Sequence, residues 1–128
     1  MLYNCKTAGI SVSVRPKFER LAAVDNRLQH IFSYEVIIEN HGDITVQLIS
    51  RKWIILDGHS TKKVVEGDGV VGEQPILPPG KSYTYKSWCP LITPLGKMYG
   101  HFSMINDAKI KFMAAVPEFF FYTPYLLN

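Results

Sequence analysis

The most constraining feature of this sequence is a series of short runs in which apolar and polar residues alternate, each ended by Gly, Pro, Asn or Asp. In the first run, Ile10, Val12 and Val14 alternate with Ser11 and Ser13. A period of two places successive side chains on opposite faces of a strand, so one face of each run can be buried. No segment of about 11 or more residues has the apolar spacing of an amphipathic helix. The pattern therefore predicts an all-β chain.

The alternating runs predict about seven to eight short antiparallel strands in a two-sheet sandwich. Pro16 and Pro90 are expected to end the runs in which they fall, since proline cannot donate to a strand ladder. The segment from Leu21 to Arg27 is expected to be a turn or to begin with one helical turn, and one bulge is expected near Ser50-Arg51. The clearest runs lie at residues 9–15, 30–39, 45–57, 62–66, 83–88, 98–104 and 110–116.

Length and charge exclude several classes of protein. A chain of 128 residues fits one domain, expected to span residues 1–128, and needs no disulfide or metal for stability. The 14 Lys and Arg against 11 Asp and Glu give a net charge of +3, and the basic residues are scattered, so no nucleic acid is expected as a partner. No export signal or bilayer-spanning run is present, which predicts a cytoplasmic protein with no membrane insertion.

Side chains that carry chemistry are sparse. The two cysteines, Cys5 and Cys89, are expected to be reduced thiols, with Cys5 in a frayed terminus and Cys89 acting as a small hydrophobic residue. The histidines are isolated from one another and fall in no metal-ligand spacing. The sequence therefore predicts no catalytic residue, no cofactor and no metal site.

One glycine-rich segment, Gly67-Asp68-Gly69-Val70-Val71-Gly72, matches the G-x-G-x-x-G pattern of dinucleotide sites. Its context differs, because Pro75 follows closely and no helix can begin there to hold a pyrophosphate. The glycines are expected to shape a loop in which backbone passes close to backbone. The alternative is a phosphate- or nucleotide-binding loop, including a nucleotide hydrolase, in which loop amides form an anion nest. Its candidate residues are Gly67, Asp68, Gly69, Gly72, Lys62, Lys63 and Lys81.

Several segments together resemble the ApaG domain family. They are residues 34–42, 51–58 and 67–75, Pro79-Gly80, Tyr85, Cys89-Pro90-Leu91 with Thr93-Pro94, and the Gly-x-Met-x-Gly-x-Phe-x-Met run of residues 96–104. Their order and spacing match that family over nearly the whole chain. The sequence departs from the family at Trp88, where glycine is usual, and in the unusually aromatic segment from Phe119 to Leu127.

The resemblance implies a fibronectin type III-like or immunoglobulin-like β-sandwich, and it supplies no established enzymatic activity. Stand-alone bacterial members are loosely linked to cobalt resistance and magnesium efflux, and eukaryotic members carry the domain within F-box adaptors and polymerase-interacting proteins. The resemblance therefore implies protein–protein binding.

The C-terminal segment gives a physical reason for the same hypothesis. A strand from Phe119 to Tyr122 is apolar on both faces, and one layer of a sheet cannot bury both. The open sheet edges of a sandwich also allow strand addition by a partner. The sequence therefore predicts a non-enzymatic interaction module that binds another protein or a second copy, as in a homodimer. The candidate interface residues are Phe119, Phe120, Phe121, Tyr122, Tyr125, Leu126 and Leu127.

Overall fold

The structure is a computed structural model that describes residues 1–59 and 61–124. It contains no helix long and apolar enough to cross a bilayer in this part of the chain. Its strands are β1 (Tyr3–Thr7), β2 (Ile10–Val24), β3 (Arg27–Asn40), β4 (Val46–Asp57), β5 (Thr61–Asp68), β6 (Ile76–Leu77), β7 (Ser82–Leu91), β8 (Leu95–Asn106) and β9 (Lys111–Tyr122).

The strands form two antiparallel sheets packed face to face. One sheet has the order β1-β2-β3-β7, and the other has the order β5-β4-β8-β9, with β6 also paired to β4. This arrangement confirms the predicted fibronectin type III-like sandwich. Two short elements raise the strand total within the described residues to nine. They are β1, where a frayed terminus was expected, and β6, which is only two residues long.

Two local predictions around the first hairpin are wrong. Strand β2 continues through Pro16 to Val24, where the sequence suggested a turn or one helical turn, and the reversal occurs at Asp25 and Asn26, which both have positive φ. Pro16 is tolerated because β1 pairs with β2 only as far as Val14, so one side of the strand is already an open edge there.

The other prolines follow the same rule. Pro90 does not end its run, since it lies within β7 opposite Ile31, and β7 is the last strand of its sheet. Pro117 lies within edge strand β9, where the register with β8 shifts between Met98 and Gly100. The bulge in β4 falls between Leu48 and Ser50, close to its predicted position.

Aromatic rings from both sheets meet in the core around Trp53. Its ring centroid lies 5.7 Å from that of Tyr34 in the opposite sheet and 5.8 Å from that of Phe102 in its own sheet. Phe119 and Phe121 of β9 continue this cluster toward Phe32 of β3, with Phe32 and Phe121 4.9 Å apart. Large aromatic side chains contribute much of the apolar area that a core buries, and these join the two sheets.

Strand β8 contains two glycines that let it lie close to β4. A Cβ added at Gly100 would overlap the carbonyl oxygen of Lys52, and one at Gly96 would lie 2.6 Å from the carbonyl oxygen of Leu56. Backbone atoms cannot move away as the end of a flexible side chain can. These positions therefore require glycine on steric grounds.

We predict that Gly100→Ala lowers the free energy of unfolding by at least about 2 kcal/mol, because the added methyl group forces β4 and β8 apart. Ser103→Ala, at a half-buried position on the same strand, should change it by less than about 0.5 kcal/mol. Urea unfolding followed by tryptophan fluorescence measures both values, and equal midpoints for the two variants would contradict the prediction.

Candidate functional site

The two edges of the sandwich differ. Strand β1 closes one edge against β9, where the Tyr3 ring lies 6.2 Å from Phe119 and the Thr7 hydroxyl accepts a hydrogen bond from the Ala115 amide at 3.2 Å. At the other edge β5 and β7 are the outermost strands of their sheets. A cleft of about 260 Å³ lies between them, and we call it the edge cleft.

The period of two in β4 and β5 determines which side chains reach the edge cleft. Trp53 is buried, so Arg51 and Asp57, which lie in the same phase on β4, also point between the sheets. Strand β5 contributes Thr61, Lys63 and Val65 in the same way, while Lys62 lies in the opposite phase. The facing sheet completes the lining with Tyr34, Ser87, Trp88, Cys89, Pro90 and Leu91.

The Arg51 side chain is held in place by the glycine-rich segment. Its Nη1 donates hydrogen bonds to the carbonyl oxygens of Asp68 at 3.1 Å and Gly69 at 3.0 Å. The guanidinium lies against Gly67, where a Cβ would come within 2.8 Å of Nη1. The segment therefore presents carbonyl oxygens to a cation, and a side chain at residue 67 would displace the guanidinium from its present position.

Asp57 closes one end of the edge cleft by tying down the β7–β8 loop. Its carboxylate accepts hydrogen bonds from the amides of Ile92 at 2.8 Å and Thr93 at 2.9 Å, and from the Thr93 hydroxyl at 2.7 Å. The three hydrogen bonds of this carboxylate are therefore all made to the β7–β8 loop.

Burial keeps the thiol and phenol groups on this side of the core protonated. Burial, with a smaller contribution from the negative charge of Asp57, raises the pKa of the Cys89 thiol to about 12, and the positive charge of Lys63 opposes this shift. Burial likewise raises the pKa of Tyr34, whose hydroxyl pairs with Ser87, and raises that of Tyr85 well above its usual range. These groups therefore act as neutral side chains near pH 7, and a protonated thiol is a poor nucleophile.

Two amides of the glycine-rich segment and that of the adjacent Glu73 already donate hydrogen bonds within the chain. The Gly69 amide donates to Ile49, and Val70 and Glu73 exchange amide–carbonyl hydrogen bonds. A Cβ at Gly69 would overlap the carbonyl oxygen of Glu73, so backbone passes close to backbone here. This geometry gives an anion nest little support, because the amides of Gly69, Val70 and Glu73 are engaged.

The lysines proposed to accompany that segment do not gather around it. Lys62 and Lys63 precede Gly67 by five and four residues along β5, which is about 13 to 16 Å in a strand. Lys81 lies next to the end of β3, where its carbonyl oxygen accepts from the Asn40 amide. No group of three or more metal-ligating side chains occurs in residues 1–59 and 61–124.

The predicted C-terminal interface is divided between two environments. Phe119 and Phe121 are core residues with 0% and 1% of their surface exposed, so they are not available to a partner. Phe120 and Tyr122 are 40% and 37% exposed on the outer face of the five-stranded sheet. Residues 125–127 of the candidate set (Tyr125, Leu126 and Leu127) lie outside the described residues.

Cross-strand pairing extends the exposed aromatics into a larger surface. Phe120 lies opposite Lys97, which lies opposite Leu56, and Leu56 lies opposite Lys62. Directly opposed residues present their side chains on the same face of a sheet. The adjacent row pairs Tyr99, Ile54 and Val64. The outer apolar face, as we name it, consists of Ile54, Leu56, Val64, Tyr99, Phe120 and Tyr122.

Sequence reasoning missed Arg51 and Asp57 as parts of one site. The available signal was that both charged residues share the phase of Trp53, so a buried tryptophan implies that they too point inward. Lys63 was a candidate, but it was assigned to the glycine-rich segment and not to the cleft that it lines.

These features define an antiparallel β-sandwich of the fibronectin type III type with one closed and one open edge. The family model described as the ApaG domain matches residues 22–106. The chain therefore belongs to the ApaG domain family.

Individual relatives agree over nearly the full length. The chain is 44% identical to Protein ApaG of Caulobacter vibrioides, covering 95% of this chain and 87% of the relative. A crystal structure titled as an ApaA protein from Bordetella pertussis aligns with a TM-score of 0.84 and 40% identity, covering 90% of this chain and 94% of that one. The X-ray structure of structural genomics target SoR45 aligns with a TM-score of 0.89 and 36% identity, covering 94% and 91%.

We predict that Asp57→Ala lowers the free energy of unfolding by about 2 kcal/mol, because the amides of Ile92 and Thr93 lose their acceptor. Asp68→Ala is the matched control, since this exposed carboxylate makes no side-chain hydrogen bond within the described residues and should change stability by less than about 0.5 kcal/mol. Urea unfolding measures both, and a neutral Asp57→Ala variant would contradict this role.

A second prediction concerns alkaline pH. The Cys89 thiol ionises near pH 8.5 when unfolded but near 12 when folded, so its contribution is fully present below about pH 8.5 and is lost as pH rises toward 12. Between pH 9 and 11, Cys89→Ala should therefore lose stability less steeply than the parent chain, by about 1.4 kcal/mol per pH unit.

Urea unfolding at several pH values tests this slope. Leu91→Val is the control, since it alters a buried residue of the same strand without removing a titrating group. It should shift stability at every pH and leave the slope unchanged. Identical slopes for Cys89→Ala and the parent chain would show that the thiol does not produce the pH dependence.

Proposed function

We propose that this ApaG domain protein is a non-enzymatic module that binds another protein through its outer apolar face. The observation that carries the proposal is the group of apolar side chains, interspersed with Lys62 and Lys97, that a sheet face leaves exposed to water. Phe120 and Tyr122 are accompanied there by Val64, which is 51% exposed. Solvated faces of antiparallel sheets are usually polar, and aromatic residues are enriched at protein interfaces.

The charges around this face favour an acidic partner over a second copy. Lys97 has Glu118 at 3.5 Å, whereas Lys62 has no carboxylate within 4 Å among the described residues. The whole chain carries a net charge of +3. Two copies would bring like charges together, which weakens association, while a partner with acidic residues around an apolar patch would complement Lys62.

The sheet edges favour a face-to-face contact over strand addition. Lys62 and Lys63 lie on edge strand β5, and Pro90 lies on edge strand β7. Lysine and proline on edge strands discourage pairing with another chain, because lysine must remain solvated and proline lacks the amide donor. A contact through the outer apolar face needs no new strand pairing, so edge lysines and prolines do not oppose it.

The chemistry of the described residues supports a binding role without catalysis. Cys89, a buried thiol, has its pKa raised to about 12 and is therefore un-ionised near neutral pH. The amides of Gly69, Val70 and Glu73 are engaged within the chain. Neither arrangement presents an activated nucleophile or an anion-stabilising group to a substrate.

We predict that a photoreactive phenylalanine analogue at position 120 cross-links to a partner protein in the native cell. The same analogue at Met113 is the matched control, because Met113 is 60% exposed on the same strand β9 and lies beyond the outer apolar face. Adducts are resolved by size and identified by mass spectrometry. We expect a discrete heterologous adduct from position 120 and none from position 113.

The remaining outcomes overturn the proposal. An adduct at twice 14.6 kDa would show that the face binds a second copy. Equal adducts from positions 113 and 120 would show contact without specificity. The absence of an adduct from position 120 would show that the outer apolar face is not an interface.

A further inference from the structure

The edge cleft brings together two cations without a carboxylate partner. Arg51 and Lys63 both line it, from neighbouring strands of the same sheet. Within residues 1–59 and 61–124, neither has a carboxylate oxygen within 4 Å of its charged nitrogen atoms. The carboxylate of Asp57 in the same cleft is bound to the Ile92 and Thr93 donors. The lining therefore carries two cations against one carboxylate, and that carboxylate forms no ion pair with either of them.

The Arg51 guanidinium is fixed in orientation before any ligand arrives. Its Nη1 is held by two carbonyl oxygens, and its plane lies against the backbone at Gly67. Among the described residues, its Nη2 and Nε donate to no acceptor. A guanidinium has five N–H donors in a fixed fork that suits carboxylate or phosphate oxygens. Holding one side of this fork leaves the other available.

Neutral groups complete the lining of the cleft around these cations. Tyr34 and Cys89 line it together with Arg51, and burial raises the pKa of both side chains, so they stay protonated near pH 7. The lining therefore adds no negative charge beyond that of Asp57.

We infer that the edge cleft binds a small oxyanion, a carboxylate or a phosphate group, at the open side of the Arg51 guanidinium, with Lys63 adding positive charge from the same cleft. A volume of about 260 Å³ lies below the roughly 300 to 1,000 Å³ of sites for drug-sized ligands, so the cleft accommodates one such group and not a whole nucleotide. This site is separate from the outer apolar face and from the amides of the glycine-rich segment. The inference of an oxyanion site does not depend on the proposed function.

The test is a titration of the full chain with inorganic phosphate and, separately, with acetate, followed by two-dimensional amide NMR at constant ionic strength. We expect saturable shifts at amides of β5 and β7 and at the Arg51 Nε–H. Tighter binding of phosphate identifies a tetrahedral ligand, and tighter binding of acetate identifies a carboxylate. Either result supports an oxyanion site.

Matched lysine variants assign the binding to the cleft. Lys63→Gln removes one cation from an exposed strand and should weaken binding about tenfold, whereas Lys62→Gln removes the same charge from the opposite face and should leave the dissociation constant unchanged. The inference is overturned if neither anion gives saturable shifts up to 50 mM, which would be about the weakest useful affinity for such a site. Equal effects of the two variants, or shifts confined to residues 67–72, would also overturn it.

Discussion

The contact of Trp53 with aromatic rings from both sheets is the interaction on which the rest of the structure depends. Its ring packs on Tyr34 of the four-stranded sheet and on Phe102 beside it in the five-stranded sheet. Burying so large a side chain fixes which face of β4 points inward. Because side chains alternate along a strand, Arg51 and Asp57 must then point between the sheets as well. The charged lining of the edge cleft is therefore a consequence of the core.

The same core places successive residues of β9 on opposite faces of the sheet. Phe119 and Phe121 pack against Tyr34 and Phe32, so alternation sends Phe120 and Tyr122 to the outside. The protein consequently has two surfaces of different character on opposite sides of one sheet. The edge cleft is small and contains two cations, whereas the outer face of the sheet exposes Phe120 and Tyr122. The partner protein and the small anion that we propose would therefore occupy separate surfaces.

Much of the fold could be predicted from the sequence, because alternation is a local property. The runs around Val12, Val36 and Phe102 all became strands with the expected faces buried. Strand ends were less predictable, since Pro16 and Pro90 were expected to end their runs. A proline breaks a strand only where its nitrogen faces a neighbouring strand, and each of these lies at an open edge or a bulge. Which side of a strand is open depends on residues distant in the chain.

Less of the candidate sites than of the fold could be predicted from the sequence. The amino-acid sequence by itself determined the all-β class, the strand phases and the steric role of the glycine-rich segment, because each depends on side-chain periodicity or on the absence of a Cβ over a few residues. Only the tertiary structure decided that Arg51 and Lys63 share a cleft, and that β1 closes one edge while β5 and β7 leave the other open. Those arrangements depend on which strands become neighbours, and neighbours are chosen by burial of the aromatic core across the whole chain.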